Sequence, residues 1–272
     1  MADGDAGDVH DAVSPRNTTL LIDSVRQAGA LALSMFRTEL KTWTKGVSSP
    51  VSEADIAANE LLEHKLRAAT PDYGWLSEES TDDESRLGRH LVWVVDPIDG
   101  TRGYLAGRED WCVSVALVEG TAPVLAAVFA PATGEFFFAA RGKGATRNDV
   151  PLQAASGRAL DFSRIAGPKP LVQRLSEAPD EISLYPRIGS LALRLCRVAQ
   201  GTIEAAFAGG QSRDWDIAAA NLIVEEANGK MTTVSGDTIL YNRREVTHGA
   251  LVAAGRDRHA SIVEHFRDRP LP

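Results

Sequence analysis

Only two cysteines stand in the 272-residue chain, Cys112 and Cys196, both in apolar stretches and without C-x-x-C spacing. That excludes a disulfide-stapled scaffold and a cysteine-ligated structural metal, and leaves the pair as buried thiols of a reducing compartment. No apolar run approaches the roughly 18 residues that a membrane helix needs. Positive charge is in deficit as well: 29 Lys and Arg face 37 Asp and Glu, a formal charge of -8. A direct nucleic-acid binder would normally carry a basic face, so that class is disfavoured. G-x-G-x-x-G, internal repeats, a Pro/Gly/Ser-rich linker and paired histidines of the H-x-x-x-H kind are all missing from the sequence. A dinucleotide fold, a solenoid and a zinc site thereby lose their usual signatures. A chain of this length needs none of these aids, because it buries a large core by itself.

The first stretch, Met1 to Arg16, holds Asp3, Asp5, Asp8 and Asp11 and neither a basic nor an apolar region. It does not read as a secretory signal; a disordered tail over 1–16 and a cytoplasmic protein are the expectations. Beyond it, apolar residues recur at helical spacing over 18–38. A loop with Lys45, Gly46 and Pro50 leads to a second helix near Ser52, where Ser52 and Asp55 have capping-box spacing. A short strand, Gly74 to Ser77, precedes an acidic loop from Glu78 to Glu84. Leu91 to Val95 reads as a strand covered on both faces, followed by an antiparallel meander at 111–119, 122–130 and 135–140. Further on, helical patterns at 189–200, 215–228 and 257–267 interleave with strands near 181–185, 202–208, 230–234 and 250–254. This mixed order predicts an α+β or layered α/β architecture. One unit over 17–272 is expected, made of two closely packed subdomains of about 17–150 and 151–272.

The chemically informative segment is Trp93-Val94-Val95-Asp96-Pro97-Ile98-Asp99-Gly100-Thr101. A buried strand delivers one carboxylate at its end and a second three residues later, with Pro97 limiting how far they swing apart. Two acids forced together at a core edge require a shared proton or a cation between them. Gly100 and Thr101 add backbone N–H groups and a hydroxyl suited to a phosphate oxygen. Taken alone, Asp-Pro-x-Asp-Gly also describes a simple turn. Glu78 and Glu79 after a strand, and Asp55 and Asp216 in first helical turns, equally have plain readings as solvated or dipole-complementing acids. Together, however, these acids sit at ends of regular elements, where a scaffold positions ligands.

Four segments in order, Ser49 to Asp55, Leu76 to Glu79, Trp93 to Thr101 and Trp215 to Ala219, resemble the motifs of the inositol monophosphatase superfamily over about residues 18 to 267. The resemblance implies a layered αβαβα sandwich and a magnesium-dependent, lithium-sensitive phosphomonoesterase, monomeric or homodimeric, acting on a small phosphate ester. It implies that Glu78, Asp96 and the Ile98 carbonyl bind one Mg2+, that Asp96, Asp99 and Asp216 bind a second, and that a weaker third leans on Glu78. Asp55 and Thr101 would orient and deprotonate the attacking water, with Glu78 counted beside them as catalytic. Gly100, Thr101 and Asp216 would contact substrate. Carboxylates and a backbone carbonyl are hard donors that suit magnesium rather than zinc. A metal-binding regulator on a dead phosphatase scaffold is disfavoured, because all six catalytic positions are intact.

Within the superfamily the run Asp99 to Val118 and the run Gly189 to Gly201 are most similar to bacterial 3'(2'),5'-bisphosphate nucleotidases, which act on 3'-phosphoadenosine 5'-phosphate. Such a substrate carries a second phosphate, for which Arg187 and Arg194 are candidate partners. Inositol monophosphatases usually place a Glu where this chain has Gly209, and more often an Asn where it has Arg102-Gly103. Inositol-1-phosphatase and histidinol-phosphate phosphatase remain the alternative activities.

Overall fold

A computed structural model describes residues 12–45, 49–176 and 183–268. Helix α1, Pro15–Met35, opens with Ser14 accepting from Asn17 N and Pro15 at the first helical position, an arrangement that needs no N–H there. The expected tail 1–16 lies mostly outside the described residues; its last two, Pro15 and Arg16, belong to α1. The expected loop around Lys45 is instead a hairpin, β1 (Thr42–Lys45) against β2 (Ser49–Ser52). Helix α2, Glu53–Ala69, follows at once, and Asp55 reaches back to the backbone N–H of Ser52 at 2.8 Å, as the spacing predicts.

Strands β3 (Gly74–Ser77), β4 (Leu91–Asp99), β5 (Cys112–Glu119), β6 (Ala122–Ala130), β7 (Glu135–Ala140), β8 (Ala145–Arg147) and β9 (Val150–Pro151) form one seven-stranded sheet in that order; the five-residue helix α3, Thr101–Leu105, lies between β4 and β5. Only β3 and β4 pair in parallel; the rest is the antiparallel meander read from the sequence. The chain continues through β10 (Ile165–Ala166), α4 (Lys169–Val172), α5 (Leu191–Ala199), β11 (Ala205–Ala208), β12 (Ser212–Arg213), α6 (Asp214–Glu226), β13 (Gly229–Thr233), β14 (Thr247–His248), β15 (Leu251–Gly255) and α7 (Arg256–Asp268). Strands β10, β11, β15 and β13 make a second sheet.

Alternation along β4 decides the layering. Leu91, Trp93 and Val95 join Leu21, Val25, Leu62 and Leu66 of α1 and α2 in one cluster. Val92 and Val94 point the other way, into a cluster with α5, α6 and the inner face of the second sheet, including Leu193, Ile223, Ala206 and Ala253. The outer face of that second sheet, with Phe207 and Val252, is covered by Leu171 of α4 and by Ile262 and Phe266 of α7. The order is helices, sheet, helices, sheet, helices: the αβαβα sandwich that the resemblance implies, here following from period-2 burial on both faces of each sheet.

The strand expected near 181–185 is not formed over 183–185, the part that is described. Tyr185 makes one ladder-like bond, N to Ile165 O at 2.9 Å, but Pro186 has no N–H to continue a ladder.

His259 on α7 is buried (6% exposed), with Nε2 2.9 Å from Thr232 Oγ1. The Thr232 hydroxyl spends its proton on Thr233 O at 2.6 Å, so the imidazole donates to it. Burial, with the Lys230 charge adding, pushes His259 down to about 4. Its folded value is below its ordinary 6.5, so the neutral ring's contribution is complete above that pH and is lost as pH falls toward 4. The loss of melting temperature over this window should therefore be smaller in His259→Gln than in the parent; equal slopes by calorimetry would refute the assignment.

Candidate active site

Asp96 and Asp99 are three residues apart, a spacing that puts side chains on opposite faces of a regular strand. In β4 the register slips: Asp96 pairs with Ser114 but Asp99 with Cys112. The extra residue is a β-bulge, which shifts the phase by one and turns both carboxylates to the same face. Pro97 sits inside the bulge, where a missing N–H costs no ladder bond. The strand therefore runs past Val95, where the apolar run ends, and through the whole Asp-Pro-Ile-Asp segment.

Other elements bring three further acids to the same place. Parallel pairing aligns Ser77 with Val95, and Glu78 N then donates to Val95 O at 3.2 Å. Glu78 is thereby set beside Asp96 at the C-terminal ends of two parallel strands. Asp216 lies in the first turn of α6 and accepts from Arg213 N at 2.7 Å. Glu78, Asp96, Asp99 and Asp216, with Ile98, Gly100 and Thr101, line one cavity of about 530 Å3. Asp55 stands just behind it. Its Oδ2 accepts from Ser52 N and Oγ at 2.8 and 2.5 Å, while its Oδ1 is 3.0 Å from Thr101 Oγ1. The same hydroxyl is 3.0 Å from Ile98 O, so its one proton serves one of two acceptors at a time.

Neutral donors fix Asp96 and Asp99 as they do Asp55 and Asp216. Asp96 Oδ1 accepts from Ile98 N at 3.1 Å. Asp99 Oδ2 accepts from Ser190 Oγ and Ala192 N, both at 2.6 Å, at the start of α5. These bonds do not remove the mutual repulsion. Burial, then Asp216 and Glu79, push Glu78 up to about 8, and burial with Asp99 pushes Asp216 up to about 7. Burial and then Glu78, Asp99 and Asp216 raise Asp96 well above the usual carboxylate range. Burial also raises Asp99 and Asp55, against their hydrogen bonds. Drawn toward these donors, no three of the side chains meet at one point as a ligand cluster among the described residues; they share a cavity rather than an apex. Lys45 lies at the edge, its ammonium against the Glu78 carbonyl and 3.5 Å from Glu79 Oε2.

The two predicted arginines part company. Arg187 is exposed and lines the carboxylate cavity. Arg194 faces an adjoining cavity of about 420 Å3, which shares Arg187 and Gly189. Its Nε is buried with no hydrogen-bond partner, and burial lowers its guanidinium from the ordinary value although Asp99 opposes this. Sequence reading missed Arg102 and Arg108, which line the cage cavity beside Arg187. It also missed Ser190, the donor that holds Asp99; only its place at the start of the helical pattern 189–200 could have pointed to it. Trp215 packs against the central core. Cys112 and Cys196 are free and buried, and burial raises both thiols, so neither is an activated nucleophile.

A five-layer sandwich with carboxylates gathered at strand and helix ends around one cavity defines a class of hydrolytic scaffold. The match to the inositol monophosphatase family runs over residues 16–271, and the chain belongs to that family as one of its phosphatases. The inositol-1-monophosphatase of Rhizobium meliloti (strain 1021) is 34% identical over 245 residues, covering 86% of this chain and 88% of that protein. Nus factor SuhB of Xylella fastidiosa (strain Temecula1) is 34% identical over 232 residues, 80% of this chain and 82% of that protein. The solved structure of extragenic suppressor protein suhB from Bartonella henselae superposes with a TM-score of 0.80 at 27% identity, covering 92% of this chain and 97% of that one.

An acid whose folded value is raised favours the folded state only below its unfolded value; as pH climbs, the unfolded chain ionises first. With Asp216 near 7 and Glu78 near 8, the metal-free protein should lose stability as pH rises from about 4 to about 8. Asp96→Asn removes one ionisable acid while keeping an acceptor for Ile98 N. In EDTA at pH 8 it should melt above the parent, with the gap closing toward pH 4. A lower melting point at pH 8 would refute the repulsion.

Proposed function

We propose that this chain is a magnesium-dependent phosphomonoesterase whose substrate is a bisphosphorylated nucleotide, releasing phosphate from 3'-phosphoadenosine 5'-phosphate to leave AMP. The donor set supports magnesium: buried oxygens with raised proton affinity and no histidine or thiolate among them. Glu78, Asp96 and the Ile98 carbonyl would hold one ion, and Asp96, Asp99 and Asp216 a second, with a weaker third leaning on Glu78. Bound Mg2+ supplies charge neutralisation of phosphate and leaving oxygen and acidifies a water. The chain's own residues do the rest. Thr101 Oγ1, donating to Asp55 Oδ1, keeps lone pairs free to accept a proton from water and pass one on to Asp55. The raised basicity of Asp55 favours that acceptance. Gly100, at φ 97°, lets the chain turn sharply so that the backbone N–H groups of Gly100 and Thr101 would be available to a phosphate oxygen.

The observation that carries the substrate class is the mixed charge of the cavity lining. Arg102, Arg108 and Arg187 share it with the acids, which suits an ester with a further anionic group. Arg194, with its buried unpartnered Nε in the adjoining cavity, extends that cationic side. Gly209 supports the same reading. A Cβ there would meet only Pro168 Cγ at 3.6 Å, so packing does not demand glycine, and an acid to bind inositol hydroxyls is absent by choice of sequence. The name carried by the Rhizobium relative favours a second reading, inositol-1-monophosphatase.

With magnesium, 3'-phosphoadenosine 5'-phosphate should exceed inositol 1-phosphate at least about tenfold in kcat/KM, histidinol phosphate and fructose 1,6-bisphosphate completing the panel. The reverse order would establish the second reading. Asp96→Asn should abolish turnover. By contrast, Asp55→Asn should keep metal affinity, read by calorimetry, and lose about 10²–10⁴-fold in kcat, the range for general-base assistance. Near-normal activity in Asp96→Asn would defeat the shared-ligand assignment.

A further inference from the structure

We infer that Arg108 is the specificity-determining residue for the substrate's second anionic group, a deepening that rests on the reading just given. The Arg108 guanidinium lies in a built seat. Gly103 on α3 and Gly189 before α5 are 86 positions apart in the chain, yet both abut the same ion pair. A Cβ on Gly103 would come 2.9 Å from Asp110 Oδ1 and 3.2 Å from Arg108 Nη2; one on Gly189 would come 2.8 Å from Asp110 Oδ2 and 3.1 Å from Arg108 Nη2. Two missing methyl groups from two separate segments thus clear the space that the Arg108 guanidinium occupies. Any larger residue at either position would push it away.

Asp110 fixes the arginine from one side. Its Oδ1 takes Arg108 Nε at 3.1 Å, and its Oδ2 takes the Gly189 N–H. Both carboxylate oxygens are therefore engaged on the protein side, and Nε is the arginine's one bonded nitrogen among the described residues. Its two terminal nitrogens, the pair that forks onto a phosphate or carboxylate, are left for a ligand. The arginine is the outer partner, its side chain 53% exposed against 24% for Asp110, and it lines the carboxylate cavity with Arg187. A guanidinium held by one edge and open at the other is pre-organised, so little rotamer freedom is lost on binding. The chemical class that fits is a phosphate ester with a second phosphate or carboxylate, the reacting phosphate lying at the acids and the second anion at Arg108 and Arg187.

Asp110 also accepts Ser190 N through its backbone carbonyl at 3.1 Å. That bond and the Gly189 bond do not involve Arg108, so truncating the arginine spares the support of the cage.

The test compares kcat and KM of the parent, Arg108→Ala and Arg108→Lys on 3'-phosphoadenosine 5'-phosphate, fructose 1,6-bisphosphate, 3'-AMP and inositol 1-phosphate, at two ionic strengths. Arg108→Ala should lose about ten- to a hundredfold in kcat/KM on the preferred doubly charged ester, through KM, the range for a charge-assisted hydrogen bond. On the ester that lacks the second group it should lose no more than about threefold. The salt dependence of KM should flatten with the lost charge, and Arg108→Lys should recover part of the loss. Equal losses on both ester types, or none on either, would overturn the role of Arg108. If fructose 1,6-bisphosphate is the preferred ester and the Arg108 contrast holds on it, the nucleotide reading fails while this inference stands. If the parent gains nothing from a second anionic group, both fall.

Discussion

The repulsion among four carboxylates, two buried and two half-buried, is the constraint on which the rest of this protein depends. Two like charges about 4 Å apart at a partly buried site repel by about 4 kcal/mol, whereas a neutral hydrogen bond returns about 1 kcal/mol. The Ile98 N–H, the start of α5 and the Arg213 N–H therefore fix where Asp96, Asp99 and Asp216 sit without making the arrangement comfortable. Relief has to come from protons, which is what the raised values of Glu78 and Asp216 record, or from cations. The scaffold tolerates the conflict because the four acids come from three elements whose own packing is secure: Glu78 follows β3, Asp96 and Asp99 share β4, and Asp216 lies at a helix start braced by buried Asp214 against His248 at 2.7 Å. The neighbouring acidic loop is braced as well, by the fully buried Arg86, which pairs with Asp82 at 2.7 Å.

That division between secure elements and strained ends explains what could be read in the sequence. Leu91 to Val95 shows its burial in composition alone, and the meander after it shows its turns; the five layers then follow from which faces are apolar. Asp55 was legible because its spacing from Ser52 is a local rule. The joint orientation of Asp96 and Asp99 was not legible in the same way. A spacing of three in a strand predicts opposite faces, and only the slipped register against Ser114 and Cys112 reverses that. Pro97 hints at irregularity but does not say of which kind. The Asp-Pro-x-Asp segment offers these two residues as a pair and the family resemblance agrees, but the reason they share a face lies in the slipped register.

Legibility fails altogether where a function is assembled from residues with no pattern between them. Arg108 reads as one exposed arginine among many, and Gly103 and Gly189 as ordinary loop glycines. Their relation exists only once α3 and the start of α5 are adjacent. Arg187 and Arg194 stand out in the sequence only as cations near a similar motif, and the fold sends them to two adjoining cavities. The hairpin of β1 and β2 was missed for a related reason: its strand burial is exposed throughout β1, so no alternation marks it.

Ser190 joins the two sides of the site. Its hydroxyl donates to Asp99 Oδ2 at 2.6 Å and accepts Leu193 N at 3.0 Å as the cap of α5, while its backbone N–H donates to Asp110 O. Asp110 in turn orients Arg108. The separation between a cage acid and the guanidinium is thus set by a short run of backbone and three hydrogen bonds rather than by flexible side chains. Net charge adds to this. When ionised, the four acids outnumber Arg102, Arg108 and Arg187 on the same lining and repel an anion, until protons or cations offset their charge. On the proposed reading the arginines hold a substrate only after the acids are occupied, and the order of assembly follows from electrostatics with no moving part required.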